Sequence, residues 1–335
     1  MKKEQNKKRL RRFCARRSSV ISVYAFLLIS FFSFTAELWS NSKPVMFSMG
    51  GNFFVPVLVD YHPSDFGVEG VMVTDYREMR EKMDWAIWPI NEWDPYERNK
   101  VVDEYPSAPD ANNVMGTDDR GRDIFARTLY GFRYSVIFAV GTWFLSFLLG
   151  GIYGAISGYI GGRVDLVGQR IVEIFETMPI LLILIMLASI FNPTLPLLIL
   201  ITVIFSWMFI SFYVRAEFLS LRKREFVEAA RAQGASHARI VFGHILPNAL
   251  GPVITFSPFI IASNVRYLAI LDFLGFGLLP PTPSWGELLS QSQQHFQYAW
   301  WLALYPSLAL FSTLVILNLI SDGVRDAFDP KRNVT

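Results

Sequence analysis

The chain has 335 residues, 52% of them hydrophobic and only 18% charged, with 29 Phe and a mean hydropathy of +0.31. That charged share lies well below the ~25% of an average soluble domain, which excludes a disordered chain and an ordinary soluble enzyme, while a single cysteine, Cys14, excludes an internal disulfide. A polytopic membrane protein remains, and its net charge of +2 hides a separation: nine Lys/Arg against one acid in residues 1–19, but nine against 17 acids in residues 37–131.

Gaps in the charge pattern place the spans, because a bilayer core needs about 20 consecutive apolar helical residues. Residues 18–36 and 134–162 carry no charge, and neither do residues 177–214, a stretch too long for one span. Asn192-Pro193-Thr194-Leu195-Pro196 breaks that last stretch as a turn would, predicting helices near 171–191 and 196–216. Further spans fall near 249–271 and 299–320, so the chain reads as an all-α membrane protein with six transmembrane helices. The divisions are a basic tail (1–19), a first span (20–36), an outside insertion (37–131), a core (132–321) with an inside loop at 221–248, and a second tail (322–335). The first apolar stretch is long and lacks a clean cleavage site, so it reads as an uncleaved span rather than a signal peptide.

Orientation follows from Lys/Arg placement. The basic first 19 residues belong inside, and the five Lys/Arg between 220 and 248 agree with them, as do Arg325, Lys331 and Arg332. Residues 191–196 and 273–298 contain no Lys or Arg, so they lie outside and both termini are cytoplasmic. The basic end thus orients a span and does not indicate nucleic acid. The insertion is rich in Trp, Tyr and Pro, and Asn52–Asp60 reads as a short strand within mixed structure.

Several residues invite a role. Gly150, Gly154, Gly158 and Gly162 recur every fourth residue, which puts them on one helix face suited to close helix packing. Glu173 and Glu176 sit near the inner end of the third span, where they could face a pathway or pair with Arg170. Arg266 is deeper and could meet a substrate anion or pair with Asp272. His244 has no neighbouring ligands and reads as packing or capping, and no metal site is expected. Helical spacing would let Asp119, Asp123 and Arg127 share a face before the second span. No G-x4-G-K-[ST] loop, HExxH or GxSxG is present, so neither ATP hydrolysis nor other catalysis belongs to this chain and no cofactor is expected.

The inside loop carries the strongest signal. Glu228-Ala229-Ala230, Gly234, Ile240 and Leu246-Pro247 resemble the EAA-x3-G-x5-I-x5-LP pattern of ABC importer permeases. In that family the segment is a coupling helix that docks in a groove of a separate cytoplasmic ATPase. Gly116-Thr117-Asp118, Gly121-Arg122-Asp123 and Tyr130-Gly131-Phe132-Arg133 resemble signatures of the dipeptide/oligopeptide branch. So do residues 272–277, DFLGFG, and Pro280-Pro281-Thr282-Pro283-Ser284-Trp285-Gly286. Asn41-Ser42-Lys43-Pro44, Ser64-Asp65-Phe66-Gly67 and the closing residues 324–330 look like the Yej-type permease, a subunit of an importer of peptides and of the peptide–nucleotide microcin C. Asp272 replaces a Ser common in general peptide permeases, and Arg266 stands where a neutral residue is usual.

The resemblance implies a type I importer permease fold in a bacterial inner membrane. It also implies a second homologous permease as heterodimer partner, an ABC ATPase and a periplasmic peptide-binding protein, with surrounding lipid. An ion-gradient-driven secondary transporter is the alternative, but it would more often show repeated halves, which the sequence lacks.

Overall fold

The computed structural model describes residues 2–67, 72, 74–102 and 104–328. Asp329 and Pro330 of the closing motif, and Lys331 and Arg332 of the tail, lie outside the described residues. Ten α-helices and three short strands form the described chain: α1 Lys2–Ala15, α2 Arg17–Phe34, β1 Met46–Met49, β2 Asn52–Phe54, β3 Trp85–Ile87, α3 Ile124–Ile160, α4 Gly162–Glu176, α5 Ile180–Ile190, α6 Leu195–Leu221, α7 Glu225–Ala232, α8 Leu246–Phe273, α9 Trp285–His295 and α10 Trp301–Phe328.

Among the described residues, α2, α3, α6, α10 and the run from Arg239 to Phe273 are each long and apolar enough to cross a membrane. The sixth candidate is the pair α4 and α5, bent by 72° at Thr177-Met178-Pro179. This corrects the single straight span expected at 171–191. Pro179 has no N–H to continue a helix through that point, and its ring disfavours the helical conformation before it.

Two compact units divide the chain: residues 1–26, 135–279 and 311–335 form one, and residues 27–134 and 280–310 the other. The 37–131 segment therefore does not stand alone, since residues 280–310 belong to its unit. Three of the four boundaries fall within α2, α3 and α10, and the fourth lies between α8 and α9.

In the first unit, Gly150, Gly154 and Gly158 of α3 bring that helix against α6. A Cβ on Gly154 would lie 3.0 Å from the Arg215 nitrogen and would collide with the Ser211 carbonyl. Gly162 departs from this stripe. It follows Gly161 in a left-handed turn (φ +60° and +67°) that ends α3, and nothing lies within 4 Å of a Cβ there. Arg16, at the break between α1 and α2, donates to Asp322 and Asp326, each at 3.0 Å, and ties the basic end to α10.

In the second unit, β1 pairs antiparallel with β2 and with β3, giving the order β2-β1-β3. Gly50 and Gly51 (φ +58° and +80°) make the two-residue hairpin between β1 and β2, a turn that needs positive φ at both positions. The strand expected over Asn52–Asp60 stops at Phe54. Phe47 is fully buried, stacked on Phe54 and packed by Phe66 and Tyr76. This aromatic cluster provides the packing that a cysteine-free segment requires. Burial pushes the Tyr76 hydroxyl up to about 12.

Candidate functional site

The loop between α6 and α8 is built by sorting its residues between two faces. Val227, Ala230 and Ile240 are buried against Ile210, Val214 and Phe218 of α6 and Ala249 and Val253 of α8. Glu228, Ala229, Arg231 and Gly234 are exposed. Ala230 of the Glu228-Ala229-Ala230 pattern is therefore a core contact, while its neighbour Ala229 stays on the open face. Gly234 (φ +76°) ends α7 with its N–H on the Arg231 carbonyl, while Ala235 N–H reaches the Ala230 carbonyl, a left-handed stop that glycine supplies at least cost. Ser236 then accepts the Arg239 N–H at 3.4 Å and starts the next helical piece, which is π-helical from Arg239 to Ile245. Leu246 is half-buried and Pro247 exposed at the start of α8. The result is a short amphipathic helix fixed by its apolar side, with a charged and small-residue face turned outward. His244 is half-buried and its carbonyl accepts from Asn248.

A buried charge network occupies the second unit, and helical spacing did not foresee it. Residues 118–123 form a turn, so the expected helix with Asp119, Asp123 and Arg127 on one face begins only at Ile124. Asp123 caps it, accepting Ala126 N–H at 2.7 Å and the Asn91 and Asn113 amides at 2.8 Å. Burial pushes the Asp123 carboxyl up, and those three donors oppose it. Asp118 accepts Arg122 Nε at 2.7 Å and lies 3.4 Å from Arg127 Nε, and both arginines also bond Glu287 of α9. Arg127 further donates to the carbonyls of Pro95 and Pro281 at 2.9 and 3.2 Å. Burial works against the Arg122 charge, but Asp118 and Glu287 outweigh it and hold the guanidinium above its ordinary range. The PSWG segment closes onto this network: Ser284 caps α9, and Trp285 Nε1 donates to the Thr128 carbonyl at 2.9 Å, beside Gly131.

The other expected residues separate. Glu173 pairs with Arg170 at 2.6 Å on an accessible part of α4, and Glu176 is exposed nearby. Arg266 is exposed on α8 and donates to Ser263 at 3.1 Å. Asp272 is buried and accepts the Leu278 N–H at 2.6 Å, which shapes the turn through Gly275 (φ +80°) and Gly277. A side chain on Gly277 would collide with the Asp272 carboxylate. Asp272 is thus a turn-former. Sequence reasoning missed the pair Asp165–Arg215, in which Arg215 Nη2 lies 2.7 Å from a carboxylate that also accepts Ser157 Oγ at 2.6 Å. Its partners lie 50 residues apart, with no local signal. Among the described residues no cluster of side chains is suited to a metal.

Apolar helices of membrane-spanning length, two of them joined by an anchored amphipathic loop, define a multi-pass membrane protein. Residues 124–334 match the family described as binding-protein-dependent transport system inner membrane component. The chain is 39% identical to the inner membrane ABC transporter permease protein YejE of Escherichia coli K12, over 98% of each chain. It is 38% identical to the peptidoglycan transport system permease protein YejE of Agrobacterium fabrum, over 97% of this chain and 93% of that one. The oligopeptide transport system permease protein OppC of Haemophilus influenzae is 38% identical over 65% of this chain and 70% of its own. A solved chain of the MetNI methionine ABC transporter aligns with 61% of this chain and 96% of its own, at 20% identity and a TM-score of 0.49. The chain belongs to the binding-protein-dependent ABC importer permeases, in their Yej-type branch. It is a multi-pass inner-membrane permease with the type I fold, and ATP is hydrolysed on a separate subunit.

Proposed function

We propose that this chain imports peptides by alternating access, as one half of a pathway completed by a second, homologous permease. The observation that carries the reading is the division of the 221–248 loop: Val227, Ala230 and Ile240 lock it into α6 and α8, while Glu228, Ala229 and Arg231 face outward. A rigid lever of this kind passes ATPase closure on to the spans as rigid-body motion, and ATP biases the states only through a difference in binding free energy. The basic residues 1–19 put both termini in the cytoplasm, beside the ATPase, and leave 37–131 in the periplasm, where a binding protein delivers substrate. Arg266 and Glu176 are the exposed charges retained as pathway candidates. Near Arg266, its partner Ser263 lines a cleft of about 390 Å³ with Phe205, Ser206, Phe256 and Tyr267. Peptide as substrate is supported by the oligopeptide relative, and microcin C-like conjugates by the Yej-type resemblance.

The Agrobacterium relative, named for peptidoglycan transport, favours a second reading in which the peptides derive from cell-wall fragments. Reconstitution with the second permease, the ATPase and the binding protein tests both readings. Accumulation of labelled linear peptide driven by ATP is expected, and preference for a muropeptide selects the second reading. Uptake driven by an ion gradient without the ATPase overturns the proposal.

A further inference from the structure

We propose that Arg266 and Ser263 of α8 form a subsite for the C-terminal carboxylate of the transported peptide, at the edge of the cleft between α5, α6 and α8. The inference rests on the importer reading given above, with α8 ending on the outer side. It adds to that reading the group of the substrate that the permease itself recognises.

The cleft is built from faces of three helices. Phe256, Ser263 and Tyr267 share one face of α8 by their helical spacing, and they line it together with Thr202 and Phe205 of α6 and Leu184 of α5. A volume of about 390 Å³, aromatic walls and a few hydroxyls match a site for a small ligand. Arg266 follows Ser263 by three residues and is exposed beside this face. About 10 Å of helix separates it from the end of α8 at Phe273. A guanidinium at that depth in an apolar span is costly and marks a position that meets an anion or water.

Hydrogen-bond capacity identifies the anion. Arg266 Nη2 donates to Ser263 Oγ at 3.1 Å. A guanidinium has five N–H groups in a planar fork, and a hydroxyl that accepts one bond still has its own proton to give. One carboxylate therefore takes two N–H bonds from Arg266 and a third from Ser263 without displacing the bond between them. Two-bond pairing of arginine with a carboxylate is among the strongest of hydrogen-bonded contacts. A linear peptide brings such a group with it, since an α-carboxyl with a pKa of about 3.5 is ionised at neutral pH.

By charge alone a lipid phosphate would satisfy Arg266 as well. The cleft favours the peptide. Thr202 Oγ1 donates to the Leu198 carbonyl at 2.7 Å, which leaves its lone pairs to accept a peptide N–H. An acyl chain has no N–H to offer, whereas a peptide held by its carboxylate presents one. Phe205 and Tyr267 supply apolar surface for the last side chain.

The test uses the assembled importer in lipid nanodiscs, without binding protein, and a labelled tripeptide ending either in a free carboxylate or in an amide. Wild type should bind the acid about tenfold more tightly than the amide. Arg266→Gln changes an exposed position, and thermal unfolding verifies its fold. It should erase the difference by weakening the acid alone, while Arg266→Lys keeps part of it. Ser263→Ala retains every charge, should reduce the preference, and decides the matter if Arg266→Gln fails to fold. Equal wild-type affinities for acid and amide overturn the proposal, as does absence of binding by wild type. An equal loss of both forms in Arg266→Gln marks a structural role, and a loss that follows the anionic lipid content of the nanodisc assigns Arg266 to lipid phosphate; either sinks the subsite. Uptake with the binding protein present separates the two readings. Failure of wild-type ATP-driven uptake counts against the importer reading, whereas intact uptake without acid preference in direct binding removes only the carboxylate subsite.

Discussion

Arg122 and Glu287, 165 residues apart in sequence, meet at 3.0 Å in the second unit, where the arginine is buried and also holds Asp118. The two signatures that resemble peptide permeases, residues 116–133 and 280–286, are thereby parts of one charge network. They serve packing before they serve any substrate.

Removing one buried partner leaves its counter-charges under-compensated. Arg127→Met leaves Arg122 as the buried cation that Asp118 and Glu287 must share, and removes the bonds to the Pro95 and Pro281 carbonyls. The expected cost is about 3–5 kcal/mol, visible as lower expression and a lower melting temperature of the purified subunit. A variant of wild-type stability would show that the network is dispensable.

The loop separates exposed residues from folding residues. Glu228→Lys alters only the exposed face and should abolish ATP-driven uptake while the protein inserts normally. Ile240→Asp, by contrast, buries an unpaired carboxylate in the core between α6 and α8 and should reduce the amount of folded protein. Gly234→Asp meets no neighbour within 4 Å but sits at φ +76°. Its strain of about 1–2 kcal/mol is too small to prevent folding, so its uptake should fail through lost coupling. Wild-type uptake by well-expressed Gly234→Asp would remove the loop from the mechanism.

Helix packing offers a paired measurement. Gly154→Leu must push α3 away from the Ser211 and Arg215 backbone and should cost about 1–3 kcal/mol, whereas Gly151→Ala meets nothing within 4 Å. Thermal unfolding of both variants, side by side, distinguishes a packed face from a free one.

Glu37 gives a pH dependence. Burial raises its pKa, but two hydrogen bonds from Arg133, at 2.7 and 2.8 Å, outweigh this and hold it below the ordinary 4.5. A depressed carboxylate contributes stability that is complete above its unfolded pKa and is lost as pH falls through the folded value. Between pH 6 and 3.5 the melting temperature should therefore decline less in Glu37→Gln than in wild type. Parallel declines would show that the pair has no such linkage.

Much of this protein was legible because each element is written locally. A bilayer forbids charge over about 20 residues, so α2, α3, α6, α8 and α10 appear as gaps between Lys, Arg, Asp and Glu. The loop was legible because a helix stop, a cap and a buried stripe recur at set spacings from Glu228 to Pro247. Less accessible were features with distant partners or backbone geometry. Asp165 with Arg215, and Arg127 with Glu287, leave no periodic trace. Gly162 continued the four-residue spacing of Gly150, Gly154 and Gly158, yet the left-handed turn at Gly161 ends the helix before it.

By itself, the sequence determined the membrane class, the number of apolar segments and the loop that marks the family, since these follow from hydrophobicity and local helix chemistry. Tertiary structure alone decided which motif residues face inward. Whether Ala230 or Ala229 is buried depends on the phase of α7 against α6 and α8, and Asp272 became a turn-former only because Leu278 folds back onto it. Burial depends on the neighbour that arrives from elsewhere in the chain, and no single segment encodes its neighbour.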